Sequence, residues 1–103
     1  MATFVLLSRL TDEGRRTLKA RPERLREVNA ELETMGGKVT AQFALLGLYD
    51  FVSVVEAASN EVIARISVEL GSRGTVQVTT LPAVSIASLV ETLKAAATGG
   101  AQA

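Results

Sequence analysis

Cysteine, histidine and tryptophan are all absent from the 103 residues of this chain. Without cysteine there is no disulfide, no thiol nucleophile, no thiolate-bound zinc and no iron–sulfur centre. Without histidine the usual general base near neutral pH is missing, as are the usual haem ligand and triad base. Any chemistry has to run on Asp, Glu, Lys, Arg, Tyr, Ser or Thr, or on a bound cofactor, and no cofactor or metal is expected. An excess of one charge is lacking too: eleven basic residues balance eleven acidic ones. Neither nucleic acid nor an anionic membrane surface is therefore an expected partner. No apolar run approaches the ~20 residues that span a bilayer. The opening MATFVLLSRL has no basic n-region and too short an apolar core for a signal peptide, so a cytoplasmic location is expected.

What is present is a globular composition, 48% hydrophobic and 21% charged. The length suits one domain, expected over 1–95, followed by a small, polar tail over 96–103 that is expected to be disordered. A domain this small gains from extra burial by oligomerisation.

Residues 3–10, TFVLLSRL, read as a strand. TDEG at 11–14 ends it with turn and cap residues, and 15–20 can form a helical turn. Pro22 then opens a long helix, with Leu25, Val28, Leu32 and Met35 in one apolar stripe. The charges of that helix, from Glu23 to Glu33, are expected on a solvated face. Gly36-Gly37 stops it. Residues 38–46 alternate, with Val39, Ala41, Phe43 and Leu45 expected on one face and Lys38, Thr40, Gln42, Ala44 and Leu46 on the other. GLYD at 47–50 separates this strand from the next, 51–57, as in a hairpin. Ser59 caps a helix with Val62, Ile63, Ile66 and Leu70 in its stripe, ended by Gly71. TVQVTTL at 75–81 is the fourth strand, which Pro82 is expected to break. Ser85 caps a last short helix with Ile86, Leu89, Val90 and Leu93 on one side.

Strand, helix, strand, strand, helix, strand is the ferredoxin-like order, an α+β fold with one four-stranded antiparallel sheet and both helices on one face. The opposite face lacks the clean polar alternation of a wetted sheet. It mixes apolar residues with short neutral polar ones, with Ser8, Gln42, Ser53, Gln77 and Thr79 expected to line it. Such a face suits packing against the sheet of a second copy around a small cavity, so a homo-oligomer is expected.

The chain resembles the GYD-domain family of small bacterial proteins. The resemblance rests on Gly47-Leu48-Tyr49-Asp50, on Thr11 with Gly14, and on Pro22-Glu23-Arg24-Leu25. It extends to Gly36-Gly37-Lys38, Val55-Glu56-Ala57, residues 70–74 and Thr79-Thr80-Leu81, and spans roughly 3–84. Family members usually carry a proline where Ala58 stands and a more acidic segment at 85–89. The resemblance implies a ferredoxin-like fold and a dimeric α/β-barrel-type assembly, and it implies no known reaction.

GLYD admits two readings. In one it is a turn: glycine supplies φ > 0, aspartate accepts from backbone N–H groups and tyrosine packs its ring. In the other, Tyr49 and Asp50 form a rim where a phenol and a carboxylate orient or deprotonate a small ligand. Gln42, Ser53, Thr79 and Arg73 are the further candidate ligand contacts. Arg73 sits in GSRG, where an anion could be held, or where the glycines end one element and Arg73 is solvated. Glu56 is either an acid–base group or the polar end of an edge.

Two functions follow. One is a small homo-oligomeric binding or accessory protein, holding a small neutral ligand between packed sheets. The alternative is a cofactor-independent isomerase or oxygenase using Tyr49 and Asp50. An RNA-recognition module shares the fold but needs exposed sheet aromatics and a basic surround, which TVQVTTL and a zero net charge do not supply.

Overall fold

The computed structural model describes residues 1–100, with side chains described as far as Ala97. The elements run β1 (Ala2–Leu10), α1 (Asp12–Ala20), α2 (Arg24–Thr34), β2 (Lys38–Ala44), β3 (Phe51–Ala57), α3 (Asn60–Ser72), β4 (Val76–Ala83) and α4 (Ile86–Gly100). The strands make one antiparallel sheet in the order β2-β3-β1-β4. This is the ferredoxin-like arrangement that the order of elements implies.

The first crossover carries two helices. Thr11 turns the chain into α1 by accepting from the Gly14 N–H at 3.0 Å, and Asp12 and Glu13 sit at the positive end of the helix. After Pro22, α2 turns its apolar stripe inward and buries Leu32. Ser59 caps α3 through the Val62 N–H, and α3 buries Ile63, Ile66 and Leu70. These side chains meet Phe4 and Leu6 of β1 and Val55 and Ala57 of β3 in one core on the helix face of the sheet.

Three expectations are corrected. The first concerns the faces of β2. Val39 pairs with Val55, but Ala41 pairs with Val54, so Thr40 is an extra residue in a β-bulge. Beyond it the faces exchange: Gln42 and Ala44 share the helix face with Val39, while Ala41 and Phe43 join Lys38 on the other. A strict period of two cannot show this, because one inserted residue flips every later side chain. Second, Pro82 does not break β4. It lies within the strand, opposite Phe4, and β4 is an edge strand, where a missing N–H is tolerated. Third, α4 is not short. It continues to Gly100, so 96–100 of the expected disordered tail is helical; the rest of that tail, 101–103, lies outside the described residues.

The second face of the sheet carries Thr3, Val5, Leu7 and Arg9, then Val52, Val54 and Glu56, flanked by Phe43 on one side and Leu81 on the other. No helix of the protomer covers it enough to bury these residues, and Phe43 is 64% exposed. From Val84 to Ala97 every residue is likewise exposed, so α4 carries Ile86, Leu89, Val90 and Leu93 uncovered. The radius of gyration, 16.7 Å, exceeds the about 13 Å of a compact chain of this length, which fits a helix that projects from the body.

Candidate functional site

GLYD resolves into three roles. Gly47 has φ 127°, a conformation side chains rarely adopt, and it makes the tip of the β2–β3 loop. Leu46 and Leu48 on either side of it stand in solvent. Asp50 is a latch: its Oδ2 accepts from the Leu10 N–H at 2.7 Å, its own N–H donates to the Ser8 carbonyl at 2.8 Å, and its carbonyl accepts from the Leu45 N–H at 2.7 Å. The carboxylate thus caps the end of β1 beyond the β1–β3 ladder, while the Asp50 backbone carbonyl closes the hairpin loop. Tyr49 is half-buried beside it. We expect Asp50→Ala to lower unfolding stability by about 1.5–3 kcal/mol, because a hydrogen bond to a charged acceptor is lost and Leu10 N–H is left without it. Denaturant unfolding followed by circular dichroism checks this.

A second cluster gathers residues far apart in sequence. Thr11 N–H donates to the Thr75 carbonyl at 3.0 Å, and Thr11 Oγ1 donates to the Gly74 carbonyl at 2.7 Å. Gly14 lies against the same backbone, where an added Cβ would come within 2.0 Å of the Thr75 oxygen. The Thr11, Gly14 and Gly74 positions are therefore one clamp between the start of α1 and the α3–β4 loop.

A cavity half open to solvent lies between the helix face of the sheet and the α1–α2 pair, and measures about 270 Å³. Leu6, Leu25, Val28 and Phe51 give it apolar walls; Ser8, Asn29, Gln42, Ser53, Arg24 and Arg73 are its polar lining. Gln42 Nε2 donates to Ser53 Oγ at 2.9 Å, and Asn29 Nδ2 donates to Gln42 Oε1 at 2.8 Å. This amide seam ties α2 to β2 and β3 and satisfies Ser53, which is 7% exposed. At the rim, Arg24 reaches Glu27 at 2.9 Å and Glu31 at 3.2 Å, and Arg73 reaches Glu31 at 2.5 Å. The hydrogen bond from Arg24 holds the Glu27 carboxyl below the ordinary range, and Arg73 does the same for Glu31. Glu27 in turn raises Arg24.

A carboxyl whose pKa is lowered on folding stabilises the fold above its unfolded value and loses that contribution as pH falls through the folded one. The hold of α2 on α3 should accordingly weaken as pH drops below the ordinary carboxylate range. These groups are exposed, so the effect is modest and shrinks in salt. Melting temperature against pH at low and at 1 M salt measures it; an acid-side fall unchanged by salt would count against this origin.

The sequence candidates therefore separate. Gln42, Ser53 and Arg73 come together around the cavity, with Ser8, all on the helix side. Gln42, Ser53 and Ser8 are thus not on the second face where they were expected, which the bulge explains for Gln42. For Ser8 and Ser53, strands apolar on both sides gave no polar marker of which face is which. Gln77 and Thr79 do lie on the second face, and Thr79 is exposed. Glu56 pairs in register with Thr3 and Lys38 at the end of that face. Tyr49 and Asp50 are not among the residues lining the cavity. The solvated reading of Arg73 is overturned, because its side chain is 26% exposed and ion-paired. Arg24 and Asn29 were missed. Arg24 was hidden among the charges of α2, whereas Asn29 had one signal: it is the sole uncharged polar residue between Arg24 and Glu33.

Fold and geometry define a ferredoxin-like α+β domain with a half-open cavity on the helix side and an uncovered sheet face. The chain belongs to the GYD domain family, whose model matches residues 4–93. It is 52% identical over 95 residues to a Thermus thermophilus protein named glutamine synthetase and cystathionine beta-lyase binding protein, a match covering 91% of this chain and all of that one. The crystal structure of TTHA0845, also from Thermus thermophilus, has the same fold, with a TM-score of 0.52 at 21% identity, covering 82% of this chain and 95% of that one. Among the described residues, no helix is long and apolar enough to cross a membrane.

Proposed function

We propose that this protein is a small cytoplasmic accessory protein that assembles with a second copy of itself and docks on metabolic enzymes, of the kind for which its Thermus relative is named. The observation that carries the reading is the amount of apolar surface without cover. The second sheet face presents Val5, Leu7, Phe43, Val52, Val54 and Leu81, and α4 presents its whole stripe to solvent. A contiguous apolar face of this kind marks an interaction site. A lone 15-residue helix is marginal in water and needs packing to persist. Two copies related by a two-fold axis bring like face to like face, and each α4 then has a partner's surface within reach.

The exposed Leu46 and Leu48 at the hairpin tip remain outside the packed faces and are available to a different protein. A small neutral ligand between the sheets would meet Thr3, Gln77 and Thr79, since Gln42 and Ser53 face the helices. The 52% identity to the enzyme-binding relative supports protein docking over catalysis.

The test is native mass spectrometry of the full chain, followed by binding to purified glutamine synthetase and cystathionine beta-lyase in surface plasmon resonance. A dimer or higher oligomer that binds either enzyme, with binding weakened by Leu46→Ser/Leu48→Ser, is the expected result. A monomer overturns the assembly. An oligomer that binds neither enzyme overturns the docking reading.

A further inference from the structure

The cavity between the sheet and the α1–α2 pair lies on the other side of the sheet from the face proposed for self-assembly, so a ligand there goes beyond the docking reading. Protein interiors are close-packed and leave few voids larger than a water molecule. This void is half open to solvent and measures about 270 Å³, just below the ~300–1,000 Å³ range of small-molecule pockets. It is several times the ~30 Å³ share of one water. Leu25, Val28 and Phe51 give it an apolar wall.

Three hydroxyls line the cavity without a partner. Ser8 stands on β1, Thr17 on α1 and Thr75 just before β4. None of these side chains hydrogen-bonds to another described residue, and none of their hydroxyls is sealed off from solvent. They belong to one end of the cavity. Gly14 packs against Thr75 and Leu10, Ser8 shares a face of β1 with Leu10, and Thr17 follows Gly14 by about one helical turn. The amide and charged groups elsewhere in the wall are already engaged. The Asn29–Gln42–Ser53 seam is satisfied within itself. Arg24 is paired with Glu27 and Glu31, and Arg73 with Glu31 and Glu69. Arg73 Nη1 has no partner but is buried beyond the reach of a ligand. The wall therefore offers hydroxyls that can still bond and no uncompensated charge.

We infer that this cavity binds a small uncharged molecule with an apolar body and one hydroxyl or carbonyl group, the polar group held among Ser8, Thr17 and Thr75 and the hydrocarbon lying against Leu25, Val28 and Phe51. A hydroxyl both donates and accepts, so these three side chains match either group. An ion is disfavoured. Each arginine at the rim already has its carboxylates, so an entering charge would lose water without meeting a free counter-charge. A wholly apolar guest is disfavoured too, because it would strip water from three hydroxyls and put no partner in its place. The small volume limits the body to a short chain or a single ring.

The experiment uses the full chain, isotope-labelled, with hexanol, hexanoate and hexylamine as probes in amide-resolved NMR titrations at neutral pH. Hexanol is expected to shift the signals of Ser8, Thr17 and Thr75 saturably, and to bind at least tenfold tighter than either ion. Thr17→Val/Thr75→Val removes two hydroxyls at nearly constant shape and should weaken hexanol at least about fivefold. Val28→Phe serves as a second variant: it fills the chamber and should exclude all three probes, with the amide spectrum reporting that the fold is kept. Hexanoate or hexylamine binding as tightly as hexanol to the unaltered protein overturns the assignment to a neutral ligand. Unchanged hexanol affinity in Thr17→Val/Thr75→Val overturns the role of the hydroxyls. Shifts confined to α4 and the second sheet face, or none at all, overturn the site. None of these results bears on the oligomer or on enzyme docking, so the two readings fail separately.

Discussion

Gly14→Val is expected to leave a chain that does not fold. Gly14 is buried in the first turn of α1, and even a Cβ there would stand 2.0 Å from the Thr75 carbonyl oxygen and 2.9 Å from its carbon. Both are backbone atoms, so no rotamer change relieves the contact. The Thr75 carbonyl accepts from Thr11 N–H, and Thr11 also holds the Gly74 carbonyl and the Gly14 N–H. Moving α1 away to admit a side chain breaks both of the Thr11 bonds to the α3–β4 loop. Overpacking in a core alone costs ~1–3 kcal/mol. The loss of these hydrogen bonds adds to that, against a total stability of ~5–15 kcal/mol for a domain. Expression with far-ultraviolet circular dichroism and a denaturant melt is the check. A folded Gly14→Val protein within about 1 kcal/mol of the original would refute the close approach. Gly71→Ala, which has nothing within 4 Å of its added Cβ, is the matched control and should fold normally.

The second large effect is on assembly. If the proposed assembly forms, Phe43→Asp/Leu93→Glu is expected to be monomeric at concentrations where the unaltered protein associates. Phe43 is 64% exposed on the second sheet face and Leu93 is 59% exposed on α4, so in an isolated protomer both changes should be nearly neutral. Within a packed interface, an aromatic anchor contributes ~2 kcal/mol or more, and a buried carboxylate without a partner adds a desolvation penalty. Together they should weaken association by at least ~100-fold, about 2.7 kcal/mol. Sedimentation velocity across a dilution series reads this directly. The monomer should also lose helical signal, since α4 on its own is marginal. Retention of the oligomer by this variant would remove both faces from the interface.

Local and distant features of the chain differ in how far a linear reading reaches them. The apolar stripe of α2 and the Ser59 cap of α3 are local, and they appear in the structure where spacing and cap chemistry put them. The bulge at Thr40 is different. It depends on how β2 meets β3, and nothing in 38–44 announces it; yet it decides that Gln42 joins Ser53. Arg73 shows the same limit. GSRG reads as a loop with a solvated arginine until the fold brings Glu31 of α2 beside it. The Thr11, Gly14 and Gly74 positions stood out as separate family motifs, and their spacing of up to sixty-three residues concealed that they form a single clamp.

Residue type and near-neighbour period were enough to specify the order of strands and helices, the ferredoxin-like class, the apolar second face and the exclusion of thiol and imidazole chemistry. Three features came only with the folded chain: Asp50 as a backbone latch, the convergence of Gln42, Ser53 and Arg73 on the helix side, and a cavity there edged by ion-paired arginines. They depend on pairs such as Leu10 with Asp50 and Glu31 with Arg73, which are forty and more residues apart. Contacts at that separation form only when the whole sheet has closed its register, because hydrogen bonds and ion pairs act over a few ångströms of space and carry no record along the chain.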